Sequence, residues 1–169
     1  MEKGQAGFGA GAGDKITRQI MSGGPVYVFY VLALALWTGG MAIFTLLVTP
    51  AIFRSYGRDK AGEIVGRLFP GYFLHKLVLS AFALVFFLLL GGGDLQLALL
   101  VLAFLVNVFH RFLLYPVIRR VKETVSSFEA DAGSAVRKRF RNLHAVSMLL
   151  NLAVLLIGLV LLILAVGPL

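Results

Sequence analysis

The sequence predicts an all-α polytopic membrane protein. It reads as a four-transmembrane-helix bundle with short amphipathic cytoplasmic helices. Three observations carry this. Of 169 residues, 59 % are hydrophobic and 14 % charged, with a mean hydropathy of +0.91; soluble domains carry about 45–50 % apolar and about 25 % charged residues. Four apolar runs recur along the chain, each near the length of about 20 residues that crosses a hydrocarbon core of about 30 Å. None alternates with period two, so they are helices and not strands. The same hydrophobicity excludes disorder for most of the chain. With no cysteine, a disulfide framework, a thiolate metal site and a Cys nucleophile are excluded.

Residues 1–24 read as a flexible Gly-rich tail (Gly7, Gly9, Gly11, Gly13) with room for a short helix over 14–21 capped by Asp14. Residues 25–168 then form a single membrane domain. The first span, 26–48, is uncharged and covers ~35 Å as a helix. Pro25 opens it and Pro50 closes it. It exceeds the about 7–15 residues of a signal-peptide core and is read as an anchor. The second span, 72–90, follows Pro70, carries His75 and Lys76 near its start, and stops at Gly91-Gly92-Gly93. The third, 95–118, is interrupted by His110-Arg111 and Pro116; the fourth, 143–166, ends at Gly167-Pro168. Only 91–94 separates the second and third spans, which demands an antiparallel hairpin.

Loop 51–71 holds an amphipathic segment behind Asp59, with Ala61, Ile64, Val65 and Leu68 on one face, and reads as a short interfacial helix. Loop 119–142 repeats apolar residues every three or four positions, from Val121 to Leu143, which extends the third span as an amphipathic helix with a break at Gly133. Lys and Arg number 16 against 8 Asp and Glu. Thirteen of the 16 flank the first and third loops and three lie in the tail. The positive-inside rule therefore places both loops in the cytoplasm and both termini outside, in the inner or plasma membrane. Basic residues that flank apolar spans point to the bilayer and its anionic lipids as partners and not to nucleic acid; a homo- or hetero-oligomer stays open.

The polar residues inside the spans carry what chemistry there is. Asn107, His110 and Arg111 share a face of the third span, and His144, Ser147 and Asn151 share one of the fourth. An arginine within a span costs at least about 2.5–3.5 kcal/mol on insertion scales. No acidic residue lies within any span, so Arg111 needs a carbonyl, Asn151, a loop carboxylate such as Glu63, a lipid phosphate or a bound anion. One reading is a polar pocket in the cytoplasmic half, built from Asn107, His110, Arg111, His144, Ser147 and Asn151 together with Trp37. Its bland counterpart has interfacial histidines, a snorkelling Arg111 and asparagines that tie helices together. His75, His110 and His144 are candidate ligands for a transition metal or, in pairs, for haem iron. Trp37, mid-span beside Thr38, Gly39 and Gly40, either packs helices closely or stacks on a ligand. Thr45 and Thr49 can bond carbonyls that Pro50 leaves without a donor. The chain has no GxxxxGK[ST], HExxH or GxSxG motif.

Two blocks are more specific. Leu36-Trp37-Thr38-Gly39-Gly40 through Phe53-Arg54-Ser55 and Leu68-Phe69-Pro70-Gly71-Tyr72-Phe73 form the first. Arg139-Phe140-Arg141-Asn142-Leu143-His144 through Ser147 and Leu150-Asn151-Leu152 form the second. Together, over about residues 30–165, they resemble the transmembrane protein 205-like family, small four-helix membrane proteins mostly of unknown function. That family is distantly similar to the membrane domains of copper-resistance protein D and of a membrane protoporphyrinogen oxidase, which implies a metal or haem ligand as an expectation. The matching positions are Trp37, Phe69, Pro70, Tyr72, Phe73, Asn107, His144 and Asn151; His75 and His110 match the pattern less closely. Three readings of function stay open: handling of a small molecule, anion or metal; an accessory subunit of a membrane complex; a haem-dependent oxidoreductase.

Overall fold

The computed structural model describes residues 10–124 and 135–167. Helix α1 (Ala10–Ile43) runs through a π-helical turn (Phe44–Val48) into α2 (Thr49–Ser55). Helix α3 is Arg58–Leu90 and α4 is Asp94–Phe109. A second π turn (His110–Leu114) leads into α5 (Tyr115–Glu123), and α6 is Ala135–Val166. Four of these stretches are long and apolar enough to cross a membrane: Gly24–Ser55, Arg58–Leu90, Asp94–Glu123 and Ala135–Val166. The protein is a four-helix, multi-pass membrane bundle.

Several boundaries differ from those expected from the sequence. The chain is already helical from Ala10, and the helix is broken at Gly24 (φ 50°, ψ −141°), a conformation that suits glycine. Pro50 does not close the first span. Its missing N–H and the clash of its ring with the preceding turn are absorbed by the π turn before it, where Thr49 N–H bonds Phe44 O, and the helix continues to Ser55. Pro116 is handled the same way, with Tyr115 N–H on His110 O. The sequences after the two turns, Pro50-Ala51-Ile52-Phe53-Arg54 and Pro116-Val117-Ile118-Arg119-Arg120, are alike. The first and third spans thus repeat one device in the same direction. The amphipathic segment behind Asp59 is not a separate helix: it is the first third of α3, which starts at Arg58 after Gly57 and passes through Pro70. The fourth span begins at Ala135, and the expected break at Gly133 lies outside the described residues.

Gly91 ends α3 in the left-handed region (φ 64°), its N–H on Leu88 O, and the chain turns back into α4 as the hairpin the sequence requires. Helix α1 packs on α3 and α6, and α4 packs on the same two, which closes the ring. Tyr27 OH donates to Ala165 O at 2.6 Å and ties the start of the first span to the end of the fourth. Gly158 lets α1 and α6 approach, since a Cβ there would overlap Thr38 Cγ2. Each helix presents its interior residues at spacings of three and four: Tyr30, Leu34, Trp37 and Met41 on α1, Ala83 and Phe87 on α3, Leu100 and Ala103 on α4, Leu161 and Ala165 on α6. The opposite faces expose Phe29, Leu32, Leu36, Phe82, Leu89, Leu105 and Ile163. Such a surface would aggregate in water; here the hydrocarbon of the bilayer covers it.

Candidate functional site

The apolar core gives way to polar side chains in the third of the bundle nearest the basic loops. The buried polar residues are Thr38, Lys76, Ser80, Asn107 and His110. Lys76, 0 % exposed, is held by Asn151: its Nζ donates to Asn151 Oδ1 at 3.0 Å, beside the Tyr72 hydroxyl, which donates to the same oxygen at 2.7 Å. Asn151 Nδ2 donates in turn to Thr45 Oγ1 at 3.2 Å. One asparagine on α6 therefore joins α3 and the π turn of the first span. The rings of Tyr72 and Phe73 lie 5.3 and 5.1 Å from Lys76 Nζ and turn their negative faces to it.

Two further polar links lie alongside. Asn107 Nδ2 donates to Ser80 Oγ at 3.2 Å, and His110 Nε2 meets Ser147 Oγ at 2.6 Å. Asn107 Oδ1 and His110 Nδ1 are buried without a hydrogen-bond partner among the described residues. About 20 residues span the hydrocarbon core. Counted inward from Leu90 on α3 and Val166 on α6, Lys76 and Asn151 both fall about 7 Å inside the basic-side boundary.

Beyond that boundary the helix ends splay into a mouth. It is a cavity of about 680 Å³ walled by all four spans, through Thr49 and Phe53, residues 58–70 of α3, residues 115–123, and Arg137, Phe140 and His144. Five cations line it (Arg58, Arg67, Arg119, Lys122, Arg137) against two carboxylates, Glu63 and Glu123. Both carboxylates are engaged: Glu63 with Lys60 (3.1 Å) and Arg67 (2.7 Å), Glu123 with Arg119 (2.9 Å). Lys122 Nζ donates to Gly62 O at 2.7 Å and rests over Gly66. Aromatic rings form the floor between mouth and network. Phe69 stacks on Phe73 at 5.5 Å, Phe73 meets Tyr115 at 5.1 Å and His110 at 4.7 Å, and Phe44 stacks on Tyr72 at 4.2 Å.

The residues singled out in the sequence separate into groups. Asn107, His110, Ser147 and Asn151 turn inward at neighbouring levels. His144 lies at the mouth, stacked on Phe140 at 5.8 Å. Arg111 stays half-buried over the ring of Phe112 (5.6 Å), apart from the network. Trp37 is fully buried in the apolar core, its indole N–H without a partner among the described residues. The histidines do not converge. His75 is exposed, its Nε2 3.3 Å from Leu36 O and its ring against Gly40; His110 is committed to Ser147 and His144 to Phe140. Among the described residues no three His, Asp or Glu side chains gather as a metal would require. These donors do not fit the metal site expected from them.

The central residue, Lys76, reads in the sequence only as a flanking charge. Tyr72, Lys76 and Ser80 recur every four residues and so share one helical face, but that spacing does not say which way the face turns.

A four-helix integral membrane protein with a polar, carboxylate-free inner third and a basic mouth is the class this fold defines. Residues 32–127 match the family described as "Domain of unknown function (DUF4149)". An uncharacterized protein of Aquifex aeolicus (strain VF5) is 34 % identical over 131 residues, which cover 76 % of this chain and 89 % of that protein. The chain belongs to the DUF4149 family. No solved structure matches it.

Proposed function

We propose that this protein binds a small anion in the inner third of the bundle, reached through the basic mouth. One observation carries the reading: polar side chains of all four spans meet around or beside a fully buried lysine with no carboxylate among them. A lysine ammonium at that depth needs a counter-charge. Lys76 spends one N–H on Asn151 and keeps donor capacity, as an anion site requires. The cation excess at the mouth acts in the same sense, since it raises the local concentration of anions. The positive-inside rule places this mouth on the cytoplasmic side of a plasma or inner membrane. The likeness of the Leu36–Phe73 and Arg139–Leu152 blocks to the transmembrane protein 205-like family is part of the same reading, since Tyr72 and Asn151 are among the matching positions.

The test is thermal unfolding of purified protein in mild detergent with sodium chloride, acetate or phosphate at constant ionic strength. A ligand that binds only the folded state raises Tm in proportion to its occupancy. At least one anion is expected to raise Tm in the native protein and not in Lys76→Met. If no anion raises it, or if Lys76→Met responds equally, the reading is wrong.

A further inference from the structure

The mouth of the bundle has properties that a small anion does not use. We infer that it is a binding site for an anionic phospholipid, with the phosphate at Arg58 and Lys122 and an acyl chain along Phe53, Phe69 and Phe140. The site shares its mouth with the route to Lys76 but none of the residues of that network, so lipid retention and the anion response at Lys76 are measured separately.

Position comes first. By helical rise, the lining starts at the hydrocarbon boundary with Phe69 and Pro70 and runs outward through the headgroup layer to Arg58, about 20 Å beyond the boundary. Charge comes second. The two carboxylates are each occupied by a neighbouring arginine, and Arg58 and Lys122 form no ion pair with a carboxylate among the described residues. Lys122 lies at the wall with one donor on Gly62 O, and its ammonium has three.

The third argument separates a lipid from free phosphate. Phe53, Val65, Phe69, Pro70, Ile118 and Phe140 also line the cavity, and an inorganic anion would leave these groups facing water. An acyl chain buries them, at about 0.8 kcal/mol per CH₂ covered. The fourth is access. At the basic end α2 packs closely on α3, and α5 on α6, whereas α2 makes no close backbone packing with α6. Higher in the bundle α1 and α6 are in contact. Neither α2 with α6 nor α3 with α5 packs closely there; Lys122 on Gly62 O bridges the second pair, so among the described residues the side between α2 and α6 is the less closed.

Gly62 supplies the decisive variant. It lines the cavity, and a Cβ built there meets nothing within 4 Å. Gly62→Phe fills the cavity without altering charge, and replacing a glycine inside a helix favours folding. The measurement is native mass spectrometry of the full chain in mild detergent. The probes are dioleoyl-phosphatidylglycerol, dioleoyl-phosphatidylcholine and inorganic phosphate. Phosphatidylglycerol should be retained in preference to the other two. Arg58→Gln with Lys122→Gln should weaken its retention about 25-fold, and Gly62→Phe should weaken it as well. Arg120→Gln removes an exposed cation outside the cavity and should leave it intact. The inference is overturned if Arg120→Gln acts as strongly as the double variant. It is overturned equally if Gly62→Phe binds normally, or if inorganic phosphate binds as tightly as the lipid. Should the double variant not fold, Gly62→Phe decides alone.

Discussion

Replacing Asn151 should damage this protein far more than replacing the lysine it holds. Asn151→Leu removes three hydrogen bonds: from Tyr72, from Lys76 and to Thr45. Neutral bonds between membrane helices are worth about 0.6 kcal/mol each, and one to a charged group about 1.5–3 kcal/mol. The sum is a loss of about 3–4 kcal/mol, and Lys76 is left buried with no acceptor. Lys76→Met keeps the volume. It forfeits the charged bond and regains part of the about 2.5–3.5 kcal/mol that a lysine costs at the helix centre, since Lys76 lies about 7 Å inside the boundary. Its stability should therefore fall within about 1 kcal/mol of the native protein. The double variant should recover about 2 kcal/mol relative to Asn151→Leu, because the lysine that lost its acceptor is gone. Reversible unfolding in mixed micelles, followed by circular dichroism, measures all four proteins. A Lys76→Met variant as unstable as Asn151→Leu would refute the reasoning, as would a double variant with no recovery.

Other substitutions test the packing and the topology. Gly158→Ala should cost about 1–3 kcal/mol in the same unfolding assay. Thr38, which it would overlap, is buried and bonded to Leu34 O and cannot give way. Gly62→Ala should instead gain about 0.5–1 kcal/mol, because its Cβ enters open space on a helix. Gly91→Ala should lose about 1–2 kcal/mol to its left-handed backbone. The chain has no cysteine, so single-cysteine variants report orientation without background. Asp94→Cys should react with an impermeant maleimide on intact cells, and Arg120→Cys only after permeabilisation. The reverse pattern would invert the orientation.

The four spans, their hairpin at Gly91 and the basic end were legible in the sequence, because a bilayer imposes them one helix at a time. Length, apolarity, glycine stops and flanking charge are local properties, and hydrocarbon reads each run separately. The inward turn of Asn107, His110, Ser147 and Asn151 was half legible, since spacing shows which residues share a face but not which face meets the partner helix. Continuation past Pro50 and Pro70 was not legible. Proline alone reads as a boundary, and only the π turn and the packed neighbours show how the first of them is carried through. Nor was the rank of Lys76. Near a span's start a lysine reads as a membrane flank, and only the register of α3 against α6 brings it onto Asn151. The sequence by itself determined how many helices cross and which end is basic, because those follow from the transfer of single segments into lipid. The tertiary structure alone decided that a lysine, not a histidine cluster, occupies the polar centre. That outcome rests on helix rotation and depth, set by side-chain packing between spans far apart in the chain.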